Sequence, residues 1–101
     1  MRGWILRSDD DPPITLRLAP DSVKTIGRAP AADFIVDAPL ISRVHCRLTA
    51  DRSDQLIVED LDSTNGTIIN GQKADRGVLR MGDRLRVGRI EFTVSRSADD
   101  R

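Results

Sequence analysis

Three short segments hold the side chains of this chain that could grip an anion. They are Gly27-Arg28, Ser42-Arg43-Val44-His45 and Leu61-Asp62-Ser63-Thr64-Asn65-Gly66-Thr67. The third sets Ser, Thr, Asn and Gly between two apolar runs that read as strands, Leu56-Ile57-Val58 and Thr67-Ile68-Ile69. Small hydroxyl and amide groups on a loop supply short hydrogen-bond donors of limited freedom. The first two segments add guanidinium groups, whose planar forks match phosphate oxygens. Brought together, such donors suit recognition of a phosphate. As a plain polar turn, the third segment would satisfy its own backbone, and Asp60, Ser63 and Asn70 fit that bracing role. A turn alone leaves the matching Arg and Ser segments unexplained.

Catalytic chemistry is poorly provided for. The chain has one histidine and one cysteine, adjacent as His45-Cys46. On a strand they would face opposite ways, which rules out a nucleophile–base pair. Glu59-Asp60 fails as a carboxylate pair for the same reason. Too few Cys and His are present for a convincing zinc site, and no phosphate-binding glycine loop of the nucleotide-binding kind occurs. The expectation is a protein that is not an enzyme and needs no cofactor or metal. A lone strand histidine reads better as a buried group tying loops together through its two ring nitrogens.

The elements that must position these residues are short strands. Trp4–Arg7 and Ile14–Leu18 flank an Asp- and Pro-rich turn, and Ile14, Leu16 and Leu18 alternate with Thr15 and Arg17. Val23–Ile26 stops at Gly27, and Asp33–Val36 ends at Asp37-Ala38-Pro39. Val44–Leu48 alternates again, predicting Val44, Cys46 and Leu48 on one apolar face. Gln55–Val58, Thr67–Ile69, Arg84–Val87 and Glu91–Val94 complete the set. Asn70-Gly71 is a two-residue hairpin signal, because both residues tolerate positive φ. No helical apolar stripe appears, so the fold class is all-β, a sandwich or barrel.

The chain of 101 residues is long enough for one domain with its own core. It carries 16 basic and 16 acidic residues, so any anion site must be local. That balance, with 3% aromatic residues, argues against nucleic acid and anionic membranes as partners. One cysteine gives no disulfide framework and suits a reducing cytosol, so a cytoplasmic location is expected. The expected domain spans 1–95, followed by a polar tail over 96–101, with fraying from Ser95 onward.

These segments, in this order and spacing, resemble the forkhead-associated (FHA) domain family. The likeness runs through Thr25-Ile26-Gly27-Arg28, Asp33 with Ile35, Ile41-Ser42-Arg43-x-His45, and Val58-x-Asp60-Leu61-x-Ser63-Thr64-Asn65-Gly66-Thr67. It continues through Ile69-Asn70-Gly71, Leu79 with Gly82-Asp83, Leu85 with Gly88, and Phe92 with Val94. The resemblance implies a β-sandwich of about eleven short strands with ligand loops at one end. It implies a non-catalytic signalling module that binds phosphothreonine in a partner protein phosphorylated by a Ser/Thr kinase. Arg28 and Ser42 match the phosphate-contacting positions, Arg43 a basic position beside them, Thr64 a lining residue, and Asn65 the clamp on the peptide main chain. Gly27, His45, Gly66, Thr67 and Asn70 match supporting positions. Ala32 and Cys46 depart from common family residues, but neither is a phosphate ligand.

Two other readings compete. A scaffold of this family could bind a partner through a sandwich face without phosphate. A secreted or carbohydrate-binding sandwich is disfavoured by the scarce aromatics and the unpaired cysteine. If the phosphothreonine reading holds, Arg43, Arg76, Arg80 and Arg89 are expected near the peptide path, favouring acidic residues beside the phosphothreonine.

Overall fold

Alternation along the strands decides the architecture. In the computed structural model, which describes residues 2–97, eleven strands form two sheets with no helix among the described residues. The strands are β1 (Trp4–Ser8), β2 (Thr15–Leu18), β3 (Ser22–Gly27), β4 (Phe34–Ile35), β5 (Cys46–Ala50) and β6 (Leu56–Asp60). They continue as β7 (Thr67–Ile69), β8 (Gln72–Lys73), β9 (Arg76–Leu79), β10 (Arg84–Val87) and β11 (Ile90–Arg96). One sheet runs β2-β1-β11-β10-β7-β8, the other β4-β3-β5-β6-β9. Among the described residues, only β3 and β4 pair in parallel.

Each inner face contributes every second residue. Leu6, Leu16, Leu85, Phe92 and Val94 from the first sheet meet Ile26, Cys46, Leu48, Val58 and Leu79 from the second. Phe92, Leu6 and Leu48 are fully buried. Each such side chain contributes about 1.5–3 kcal/mol through removal of apolar surface from water. The expected all-β sandwich is the observed fold.

The strand registers place the chain ends of each element at one of two poles. Gly27, Cys46, Asp60, Thr67 and Val87 lie at one pole, and Ala50, Leu56, Leu79 and Arg84 at the other. The loops 28–45 and 61–66 therefore emerge together. The Asn70-Gly71 turn forms as expected, with φ of 50° and 83°, joining Ile69 to Gln72.

Several boundaries differ from the sequence reading. Strand β5 begins at Cys46, so Val44 and His45 lie in the preceding loop, with Val44 only half-buried. Both His45 and Cys46 are fully buried, where alternation would have separated them. The cause is backbone pairing: His45 N donates to Ile26 O at 2.8 Å while its ring turns toward the loops. Strand β8 escaped notice because both its residues are polar and exposed, and β9 because Arg76-Gly77-Val78-Leu79 shows no apolar alternation, burying fully only Leu79.

Ser95 and Arg96 belong to β11 and do not fray. Arg96 stacks on Trp4, 3.9 Å from the ring centre, and its Nη1 and Nη2 donate to the two carboxylate oxygens of Asp54. Residues 98–101 of the expected tail lie outside the described residues.

Candidate functional site

The site is assembled by backbone contacts that a side chain in the wrong place would block. At the end of β3, a Cβ on Gly27 would stand 2.1 Å from Arg43 O, so only glycine lets the two loops meet. Immediately afterwards, Arg28 N donates to Ser42 O at 3.0 Å and Ala29 N to Arg43 O at 3.1 Å. Thr25 and Asp33 close the following loop: Thr25 N and Oγ1 both donate to Asp33 Oδ2, and Asp33 N donates to Thr25 Oγ1. These bonds hold the Asp33 carboxyl below its usual range, its backbone bond from Thr25 contributing most.

Arg28 is exposed but not loose. Its Nε donates to Ile41 O at 3.0 Å, which fixes the plane of the guanidinium and leaves the two Nη groups. Ser42 stands beside it. Its Oγ accepts from Thr64 N at 2.9 Å, so the hydroxyl proton remains available. Asn65 Nδ2 donates to Leu40 O at 3.1 Å, which ties the second loop to the first.

Below the rim lies His45. Ser42 N donates to Nδ1 at 3.0 Å, so Nδ1 carries no proton and the hydrogen is on Nε2. Nε2–H donates in turn to Gly66 O at 2.8 Å. One buried ring thus spans both loops, the bracing role expected of it. Cys46, beside it in sequence, is core: burial and the nearby Asp60 carboxylate push its thiol up to about 12, leaving it protonated.

Asp60 is the pillar of the second loop. Its carboxylate accepts from Ser63 Oγ at 2.5 Å, Thr67 Oγ1 at 2.7 Å and Ser63 N at 3.1 Å. Ser63 Oγ also accepts from Gly66 N at 2.9 Å. Burial works to raise the Asp60 carboxyl, but these bonds together hold it below the ordinary carboxylate value of about 3.8. With a lowered folded value, its stabilisation is present above about 3.8 and lost as pH falls through the lower folded value. Thermal melts of wild type and Asp60→Asn should therefore converge as the solution is acidified toward pH 2, wild type losing more.

Arg28, Ser42, Arg43, Thr64 and Asn65 all line one open groove of about 870 Å³. Arg28 and Arg43 make no ion pair among the described residues. Asp37, Asp62 and the apolar Leu40 complete the rim. Gly27, His45, Gly66 and Thr67 support it from below.

Asn70 does not. It lies at the opposite pole, where Asn70 Nδ2 donates to Asp83 Oδ1 and Arg84 N donates to Asn70 Oδ1. The three-residue β7 carries the chain from the site to that pole, so nearness in sequence misled. Arg80 is also at the far pole, its N bonded to Asp83. Arg76 leans toward Glu59, 4.0 Å away.

The sequence reading missed the role of Leu40 and Ile41, whose carbonyls orient Asn65 and Arg28. It also missed Gly88: a Cβ there would meet Ile41 Cγ1 at 2.7 Å and Pro39 O at 2.8 Å. A carbonyl acceptor leaves no trace in residue type, whereas Gly88 was visible among the family-matching positions without its packing role being read.

Known proteins now bear on this geometry. The family model for the FHA domain matches residues 24–88. The glycogen accumulation regulator GarA of Mycolicibacterium smegmatis is 33% identical over 76 residues, covering 73% of this chain and 48% of that protein. This chain thus spans about half the length of the curated relatives it matches. The FhaA FHA domain, solved in complex with the intracellular domain of Rv3910, superposes with a TM-score of 0.83 at 32% identity. That match covers 91% of this chain and 99% of the other. Mycobacterium tuberculosis EmbR in complex with a low-affinity phosphopeptide gives a TM-score of 0.83 at 25% identity, over 98% of this chain and 26% of EmbR. The strand order, the paired loops at one pole and the matched residues 24–88 together make this chain a member of the FHA domain family.

Proposed function

We propose that this domain is a non-catalytic module that binds a phosphothreonine-containing segment of a partner protein in the groove between loops 28–45 and 61–66. The observation carrying this reading is the pairing of Arg28 with Ser42. A guanidinium held in plane by Ile41 O offers two Nη donors next to a hydroxyl whose proton is uncommitted. A phosphorylated residue brings about −1.5 to −2 charges and three acceptor oxygens, the complement of that set. Arg43 adds a second positive charge at the rim. Asn65, on the same rim, is placed to hold an extended main chain once peptide displaces its bond to Leu40 O.

The known complexes support the reading by analogy. EmbR was solved with a phosphopeptide, and FhaA with an intracellular domain of another protein. A partner marked by a Ser/Thr kinase, with neither nucleic acid nor membrane required at this groove, follows from the chemistry. Threonine is preferred over serine in the proposal because its extra methyl is buried on binding. That methyl contributes ~0.8 kcal/mol, about a fourfold preference, and the stiffer χ1 of the β-branched residue adds to it.

Calorimetric titration with degenerate phosphothreonine, phosphoserine and unphosphorylated peptide pools tests this. Binding should be tightest to phosphothreonine, at least about fourfold weaker to phosphoserine, and absent without phosphate. Equal heats from the phosphorylated and unphosphorylated pools would move the function to a phosphate-independent surface.

A further inference from the structure

The outer surface of the β2-β1-β11-β10-β7-β8 sheet is strongly basic, although the chain as a whole is neutral. Alternation decides which side chains stand on it. Leu6, Leu16, Leu85, Val87 and Phe92 point into the core, so the residues between and beside them point out. Those neighbours include Arg7, Arg17, Arg84, Arg86 and Glu91. Lys73 joins them through its pairing with Ile68, itself opposite Arg86. Against these five cations the face holds one carboxylate, Glu91, 3.2 Å from Arg84. Arg7, Arg17, Arg86 and Lys73 have no ion pair among the described residues. The other sheet differs: there Arg47 and Arg76 both lean on Glu59.

The registers draw these cations into an oblique band. Arg17 stands on the β2 edge opposite Ile5, Arg7 diagonal to it on β1, Arg84 and Arg86 on β10, and Lys73 on the β8 edge. Six strands at about 4.8 Å spacing make the band roughly 24 Å long, the reach of about seven extended residues. One end of it touches the groove. A Cβ on Gly66 would lie 2.5 Å from Lys73 Cε, so the lysine stem crosses the loop residue next to Asn65.

We infer that an acidic stretch flanking the phosphothreonine of the same partner lies across this band. The inference rests on the phosphothreonine reading of the groove. Three observations favour a polypeptide: the charge complementarity, the continuity with Gly66, and the length of the band. The face has no aromatic side chain on which bases could stack. Its only large apolar groups are Ile5 and Ile68, both partly buried, which is little to anchor in a bilayer. The acidic preference expected from sequence is thereby extended to further residues: of the four arginines named there, Arg43 lines the groove and Arg89 is exposed beside Gly88 at the same pole. Arg80 is at the far pole and Arg76 is engaged, while Arg7, Arg17, Arg86 and Lys73 are open.

The test is titration with a degenerate phosphothreonine pool and with the same pool carrying six glutamates at its N- or C-terminal end. Four exposed ion pairs of ordinary strength should tighten binding about tenfold for one of the extended pools at low salt. The gain should shrink as salt is raised and fall to about twofold in the variant Arg7→Gln/Arg17→Gln/Arg86→Gln, whose affinity for the unextended pool stays at the wild-type value. Equal affinity for the extended and unextended pools would overturn the inference and leave the groove reading standing. No binding of any pool would overturn the groove reading, and the inference with it. Sedimentation with phosphatidylserine vesicles, without any gain from the glutamates, would assign the band to a membrane surface instead.

Discussion

Replacing Arg28 by alanine is expected to cost the domain about 100-fold or more in affinity for a phosphothreonine peptide while leaving the fold in place. The reasoning runs from geometry to magnitude. Ile41 O occupies Nε, so the Nη pair is presented as a fork, and the ordering cost is met before ligand arrives. Each charge-assisted bond to a phosphate oxygen contributes ~1.5–3 kcal/mol, and two of them account for at least that loss. The folded state forfeits only one partly exposed hydrogen bond, about 1 kcal/mol, so the melting temperature falls by a few degrees. Arg28→Lys is a sharper probe. It keeps the charge but loses both the fork and the tether to Ile41, so its affinity should fall well below wild type. Calorimetry and a thermal melt on the same samples separate the two effects.

His45→Ala should behave in the opposite way, with stability lost first and binding lost as a consequence. The ring is fully buried and bonded at both nitrogens. Removing it leaves Ser42 N and Gly66 O without their partners and opens a cavity between the loops. Unsatisfied buried groups cost about 1–3 kcal/mol each, and the void adds to this. A loss of about 3 kcal/mol or more is a large part of the 5–15 kcal/mol holding a domain of this size. The melting temperature should drop by roughly 12 °C or more. In the folded fraction, Ser42 and the 61–66 loop are no longer locked together, so binding weakens although no ligand-contacting group has been removed. A melt close to that of wild type would show that the ring is not the brace described here.

The contrast between these two residues shows what could be read from sequence. Arg28 and Ser42 announce their chemistry by residue type, while Gly27 and Gly66 mark places that favour glycine, a close backbone approach at the first and a φ of 87° at the second. His45 was legible as a brace because a lone histidine, read there on a strand and without a catalytic or metal partner, is best used to tie loops through its two ring nitrogens. Its partners were not, since a backbone N–H or carbonyl looks alike at every position. The same blindness hid Leu40 and Ile41, which act through main-chain oxygens. Asn70 failed for another reason. Its motif is strong, but the motif encodes a tight turn, and only the register of the short β7 shows which pole that turn occupies. Strands with a wet and a dry face were visible through alternation. Edge strands β8 and β9 were not: β8 is exposed on both residues, and β9 buries fully only Leu79 at its end, too little to write an alternation. The basic band is a property of pairing across six strands, so no linear window of sequence contains it.

The central claim is that a phosphorylated threonine sits between Arg28, Ser42 and the 61–66 loop. Amide chemical shifts recorded during titration with the phosphothreonine pool test this most directly. The account predicts large shifts at Arg28, Ser42, Thr64 and Asn65, with Asn70, Asp83 and Arg84 at the far pole unmoved. Saturable shifts confined to the far pole or to an outer sheet face, with the groove silent, would contradict it.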